Sequence, residues 1–229
     1  MNINYSNRLP FAVVTLVSCA LAGAVQVNAQ DDLVVQDSGL AKSLQVLYDF
    51  RNARGNQIPD VSGKLPAVDL QIEDMSQVEL RDGVLAIRGS TKIASKIAPK
   101  RLVKAIQKTG AITIEVWLRP HTLQQDGPAR IVTLSKDSGS RNFTVGQDGS
   151  SFQVRLRTSQ TSTNGIPAVA SKSRSLKEEL THVVYTRGRS GNVCIYVNGR
   201  LNQRERVAGD LGGWSDQYRL ALGNEFSGD

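Results

Sequence analysis

The side chains best equipped for chemistry in this sequence are two tryptophans and a set of arginines. Sugar rings stack on exposed indoles, and guanidinium forks match carboxylate or sulfate groups. Trp117 and Arg119 alternate along one face of the run 111–119, and Arg155 and Arg157 along one face of the run 151–158. If the two runs share a sheet, these four side chains form one ligand-binding surface. Trp214 follows Gly212-Gly213, so a plain loop explains it as well as a contact does. Aromatic residues are 5% of the chain, which excludes a long stacking platform for crystalline polysaccharide and favours a soluble or anionic glycan, or a protein partner.

Other reactive groups are sparse. Two Cys and two His exclude a Cys-rich zinc module and a disulfide-dense scaffold, and leave little for a histidine metal site. His121 and His182 have no ligand-like spacing, and His182, within Thr181-His182-Val183-Val184, reads as a strand residue whose ring is satisfied locally. Cys194 lies in the β-type run 192–197 and reads as a small buried hydrophobe rather than a nucleophile. The stretch Lys92, Lys96, Lys100, Arg101, Lys104, Lys108 lacks interleaved aromatics and any groove-entering motif. It reads as the solvated side of a short helix. A net charge of +7 sets non-specific attraction only, and no nucleic-acid partner is expected.

The elements that position these groups are mostly strands. Runs rich in β-branched and aromatic residues recur at 44–50, 78–87, 111–119, 129–136, 142–145, 151–158, 181–187, 193–197 and 218–222, separated by Gly, Asn, Asp and Ser. So many short strands call for a sandwich rather than a small barrel. Asp82-Gly83, Asp148-Gly149 and Gly191-Asn192 supply hairpin turns. In the run 111–119, Ile112, Ile114, Val116 and Leu118 form the core face, with Thr113, Glu115, Trp117 and Arg119 opposite. In 151–158, Phe152, Val154 and Leu156 point inward. One helix is signalled by Pro99, by Leu102, Val103 and Ile106 at helical spacing, and by Thr109-Gly110 at its end.

The first 29 residues have the layout of a secretory signal: a polar start with Arg8, an uncharged apolar run over 11–25, and Val27-Asn28-Ala29 at a cleavage site. Residues 30–43, with Asp31, Asp32 and Asp37, read as a linker, and residues 44–229 as one domain. This places the protein outside the cell membrane, secreted, periplasmic or on the cell surface. Leu16-Val17-Ser18-Cys19 also resembles a lipobox, in which case a lipid on Cys19 would hold the protein at a membrane.

Several segments, taken in order, resemble laminin G-like domains of the concanavalin A-like lectin/glucanase superfamily. Leu47-Tyr48-Asp49-Phe50, Gly55 and Asp60-Val61-Ser62-Gly63 resemble the family's opening, and Ala111-Ile112-Thr113-Ile114-Glu115-Val116-Trp117 its "FTIEAW" strand. Thr181-His182-Val183-Val184-Tyr185-Thr186-Arg187 is similar to "WTHVVFTR" with Leu180 in place of Trp, Ile195-Tyr196-Val197-Asn198-Gly199-Arg200 to "LYVNGK", and Leu222-Gly223-Asn224 to the late "LGN" turn. The resemblance implies an all-β, concanavalin A-like jelly-roll β-sandwich of two antiparallel sheets with one short helix. In the family, the chain continues past the late turn into a strand that pairs back near the first one. The sequence ending at Asp229 therefore reads as a gene fragment, or else leaves the first strand with an exposed edge.

The same resemblance raises glycoside hydrolysis and calcium binding. Hydrolysis needs two carboxyl groups roughly 5–10 Å apart. The face carrying Glu115 has one acid, which reads as a partner for Arg119 or a nearby arginine. A calcium ion needs six to eight oxygens; Asp60 is the best ligand candidate and Asp49 a weaker one, with no acidic cluster beside them. The function read from the sequence is an exported, non-catalytic recognition or adhesion module binding carbohydrate or a surface protein, with a structural protein-interaction module as the alternative. Mass spectrometry of the mature N-terminus should find Gln30 as the first residue, whereas a lipidated Cys19 there would mark an anchored form instead.

Overall fold

The computed structural model describes residues 14–17 and 42–226. Its strands are β1 (Val14–Val17), β2 (Leu44–Tyr48), β3 (Gln57–Ile58), β4 (Leu70–Ile72), β5 (Val78–Arg81), β6 (Val84–Ile87) and β7 (Ile93–Ser95). Helix α1 (Lys100–Thr109) follows, then β8 (Ile112–Leu118), β9 (Ala129–Asp137), β10 (Ser140–Asp148), β11 (Ser151–Leu156) and β12 (Val169–Ala170). The chain closes with β13 (Thr181–Arg187), β14 (Asn192–Val197), β15 (Arg200–Arg206) and β16 (Arg219–Leu222). One sheet has the order β15-β14-β13-β8-β1-β2, the other β12-β11-β10-β9-β16-β7-β4-β3, and β5-β6 form a separate hairpin. All the pairings are antiparallel, as expected of a jelly-roll sandwich.

The core lies between the two large sheets. Ile112, Ile114 and Val116 of β8, Val183 and Tyr185 of β13, and Val193 and Ile195 of β14 face Val132 and Leu134 of β9, Phe143 and Val145 of β10, and Phe152, Val154 and Leu156 of β11. β8, β11 and β13 alternate buried and partly exposed residues, the signature of a half-solvated antiparallel sheet, whereas β10 is buried on both faces from Arg141 to Gln147. Helix α1 adds Leu102, Val103 and Ile106 to this core and ends at Gly110, whose φ of 65° provides a left-handed C-cap. Pro99 is the residue before the helix rather than its first turn.

The structure adds elements that the periodicity did not signal. β3, β4, β7 and β12 are two or three residues long, too short for alternation to register. β15, Arg-Leu-Asn-Gln-Arg-Glu-Arg, has no buried residue because it is an edge strand. The Asn198-Gly199 turn, with φ of 49° and 76°, commits it to a hairpin with β14. Val14–Val17, within the apolar segment assigned above to an export leader, is a strand between β2 and β8. Cys19 and Ala29 lie outside the described residues.

The outer edge of β2 is covered. Val61 N–H donates to the Leu47 carbonyl at 2.9 Å, Leu47 N–H donates to Asp60 Oδ1 at 3.1 Å, and Arg101 Nη2 donates to the Gln45 carbonyl at 2.8 Å. A folded-back loop thus satisfies groups that would otherwise template pairing.

Arg187 is buried and ties two other segments to its own strand. Its guanidinium donates to the carbonyls of Gly110 at the helix end (2.9 Å), of Val207 (3.1 Å) and of Gly209. Replacing it would leave several buried carbonyls unpaired. Arg187→Met should lower unfolding free energy by about 3 kcal/mol, seen in denaturant titration as a reduced midpoint with an unchanged slope.

Candidate functional site

The strand bearing Trp117 and Arg119 and the strand bearing Arg155 and Arg157 lie in different sheets. β8 belongs to the six-stranded sheet and β11 to the eight-stranded one, and the polar face of each points away from the core. The single four-residue surface is therefore corrected to two surfaces on opposite sides of the molecule.

On the six-stranded sheet, the pairing of β8 with β13 sets Trp117 opposite His182 and Glu115 opposite Val184. The Trp117 and His182 rings stack with centroids 4.4 Å apart and 17° between planes. His182 Nε2 lies 2.8 Å from Glu115 Oε1. The ring is satisfied locally, as expected, but the partner of Glu115 is His182 and not Arg119. Arg119 Nε instead donates to the Glu178 carbonyl at 3.3 Å. The stacked face of Trp117 is occupied by imidazole, leaving less indole for a sugar ring. Cys194 falls on this outer side: Val193 and Ile195 take the buried positions, so the thiol is half-buried rather than a core residue.

The outer face of the eight-stranded sheet is different chemistry. Register carries one row from Arg155 through Thr144, Thr133, Ala221 and Ala94 to Gln71. Beside it, Gln153 and Arg130 both lie opposite Gly146, while Arg141 and Arg219 both lie opposite Ser135. Side chains paired across strands share a face, so Arg130, Arg141, Arg155 and Arg219 all project from this surface around small central residues. Arg141 is buried, donating to Thr144 Oγ1 at 2.8 Å and to the Ser138 carbonyl. The Nε–H groups of Arg130 and Arg141 are buried and make no hydrogen bond among the described residues.

The segment after β16 crosses this surface. Glu225, buried, sits 3.3 Å from Arg130 Nη2, and the Arg219 guanidinium lies over the Phe226 ring at 4.4 Å. Gly223 enables the crossing: its φ is 71°, and a Cβ there would collide with Ile87 Cδ1 of the β5-β6 hairpin. Burial, and after it the charges of Arg155 and Arg130, push the Arg141 guanidinium down to about 10. Arg155 is lowered in the same way, first by burial and then by Arg130. Arg155 is half-buried at the open end of the row, bonded to Gln153 Oε1 (3.1 Å) and Asn164 Oδ1 (3.3 Å). Arg157 continues the alternation two positions on, its carbonyl accepting from Trp214 Nε1 at 2.7 Å. Trp214 itself is buried, 6.0 Å from the Phe143 ring, and is a core residue.

The two calcium candidates have other duties. The Asp60 carboxylate is buried and accepts from the amides of Leu47, Ser62 and Val68, with Arg101 Nη2 at 4.0 Å. Asp49 Oδ1 accepts from Arg51 N–H in a tight turn. Among the described residues no group of three or more His, Cys, Asp or Glu side chains converges on one point. Asp60 thus serves as an anchor of the sheet edge. The lysines of the basic stretch are solvated as expected, except that Lys92 reaches Glu73 at 3.6 Å, and Arg101 is tied to Gln45 and Asp60.

Sequence signals for Arg130, Arg141 and Arg219 existed but were weak. Each sits within or beside an apolar strand run, where alternation assigns it to the outer face once the register is known.

A family model described as the concanavalin A-like lectin/glucanases superfamily, laminin G type, matches residues 94–229, which include all four arginines. Solved structures of the same fold include the binding domain of botulinum neurotoxin serotype D/C, at 16% identity and a TM-score of 0.52, over 76% of this chain and 42% of that one. A structure of botulinum neurotoxin type C, which gets into cells through interaction with two ganglioside molecules, is 17% identical with a TM-score of 0.51, over 74% and 40%. A receptor binding domain is 16% identical with a TM-score of 0.53, over 77% and 43%. The chain thus spans less than half the length of these structures, and at such identities the likeness is one of fold. No curated protein matches the sequence.

The stacked Trp117–His182 pair gives a spectroscopic handle. In a Trp214→Phe background, His182→Ala should change Trp117 emission and cost about 1 kcal/mol of stability, measured by fluorescence and thermal unfolding. An unaltered spectrum would mean that the rings are not in contact.

Proposed function

The chain belongs to the laminin G-like family of the concanavalin A-like lectin/glucanase superfamily, and from that premise we propose that it is an exported, non-catalytic recognition module that binds an acidic carbohydrate at its arginine surface. The observation that carries the reading is the gathering of Arg130, Arg141 and Arg155 on one sheet face, with Glu225 as the carboxylate paired to Arg130. Their charges oppose one another in a partly desolvated setting, so an arriving carboxylate or sulfate relieves repulsion as well as forming charge-assisted hydrogen bonds. Arg155, with Gln153 and Asn164 beside it, is the member placed to meet ligand, and Arg157 lies next along the strand. The buried Arg141 sets the field behind them.

Two further points support this reading. The type C neurotoxin of the same fold interacts with gangliosides, glycolipids whose sialic acid carries a carboxylate. A sugar hydrolase would need a carboxyl couple roughly 5–10 Å apart facing one cleft; here Glu225 is neutralised by Arg130, and Glu115 is on the opposite sheet, bonded to His182. Export rests on the leader-like residues 1–29.

Sialylated and sulfated glycans should be retained on an array while their neutral counterparts are not, with chelator making no difference because Asp60 and Asp49 are committed to backbone amides. Arg155→Gln should weaken binding about tenfold, roughly 1.4 kcal/mol, and His182→Gln should leave it unchanged. Equal retention of neutral and acidic sugars would overturn the arginine site. Turnover of any polysaccharide would overturn the non-catalytic assignment.

A further inference from the structure

Helix α1 turns a row of lysines outward. Leu102, Val103 and Ile106 point into the core, and Lys100, Lys104 and Lys108 recur every four residues on the opposite side, one above the other. Lys96 precedes them on the approach to the helix. All four are exposed, and none makes an ion pair among the described residues. Like charges four apart on a helix repel and cost stability. The row is held together by the core contacts behind it.

Two apolar side chains stand beside the row. Leu65 is 81% exposed, the most of any large apolar side chain among the described residues, and Ile97 is 43% exposed. Ile97 is next to Lys96 and three residues before Lys100. Hydrogen bonds bring Leu65 to the same place. The Ser62 hydroxyl donates to the Gln45 carbonyl at 3.3 Å, and Arg101 Nη2, from the first turn of α1, donates to that carbonyl at 2.8 Å. Lys64 N–H donates to Ser62 Oγ at 3.3 Å, so Leu65 follows on a braced loop beside the start of the helix. The two nearby carboxylates are committed elsewhere. Asp60 is buried among amides, and Asp69 accepts from the Asp60 amide at 2.9 Å and from Gln57 Nε2 at 2.8 Å.

We propose that the lysine row of α1, with Leu65 and Ile97, is a surface that docks on an anionic lipid membrane. The ammonium groups are drawn to acidic headgroups. Leu65 and Ile97 enter the boundary between headgroups and acyl chains, with the lysine stems lying along apolar surface. The apolar pair singles out a membrane among polyanions, because a sulfated glycan offers charge to the lysines and nothing to Leu65. Each lysine close to an acidic lipid surface raises partition about fivefold, and the gain fades within a Debye length. This surface shares no residue with the arginine site, and the proposal does not depend on that site.

The test is flotation of the full chain with vesicles of phosphatidylcholine alone or of phosphatidylcholine mixed with phosphatidylglycerol. Stronger binding to the acidic vesicles, weakened by added salt, is the expected result. Lys100→Glu combined with Lys104→Glu should reduce it at least about twentyfold, and Leu65→Asn about tenfold. These side chains are exposed, so the variants should keep the thermal midpoint of the parent. Leu65→Trp should add an emission that brominated acyl chains quench, whereas Leu201→Trp, on the exposed edge strand β15, should not be quenched. Equal flotation on both vesicles, or none, would overturn the proposal, as would binding indifferent to the lysine reversal. Lysine-dependent binding that Leu65→Asn leaves unchanged, with no quenching at Leu65→Trp, would mark a general polyanion surface and overturn it too.

Discussion

Because the inner faces of both large sheets are apolar along most of their length, with Thr181 and Arg187 at the ends of β13 as exceptions, the strands direct most of their polar residues outward, and the register then decides which of them become neighbours. That constraint produces two exteriors with unlike chemistry from one repeating pattern. On β8 and β13 it brings an indole, an imidazole and a carboxylate into a closed set that satisfies itself. On β9, β10 and β11 it brings guanidinium groups together, with Glu225, Asp137 and Asp148 as the acids that offset them. The first surface has spent its hydrogen bonds internally, whereas the second keeps like-charged guanidinium groups side by side.

Three buried ions show how differently this fold treats charge. Arg187 is surrounded by main-chain carbonyls from two separate segments, which fix the loops at one end of the sandwich. Asp60 is the mirror case, a carboxylate held by main-chain amides that closes an edge. Both are compensated structural groups, and a buried ion of this kind is tolerated only when its lone pairs or protons have partners. Arg141 departs from the pattern: its charged company includes Arg155 and Arg130 as well as Glu225 and Asp137, and its Nε–H has no acceptor among the described residues. Buried charge that is poorly compensated by the protein itself is where ligand chemistry is expected.

Alternation made the inward and outward residues of β8 and β11 legible from sequence alone, and the Gly- and Asn-containing turns located the hairpins. What could not be read was which strands share a sheet, because that depends on long-range pairing and leaves no local trace; hence Trp117 and Arg155 were placed together and prove to be on opposite sides. Cys194 sits one position out of step with the buried Val193 and Ile195, a parity that the apolar run 193–197 does not reveal. Asp60 was noticed for its oxygens, correctly, but sequence says nothing about whether amides or a cation will claim them. The short strands β3, β4, β7 and β12 owe their existence to neighbours, not to their own residues.

Each margin of the two large sheets is closed to further growth. β3 and β12 are two residues long, β15 carries Arg200, Arg204, Glu205 and Arg206, and β2 is shielded by the loop through Asp60 and Val61. Many copies crowded on one surface would therefore remain separate particles instead of fusing laterally into fibres.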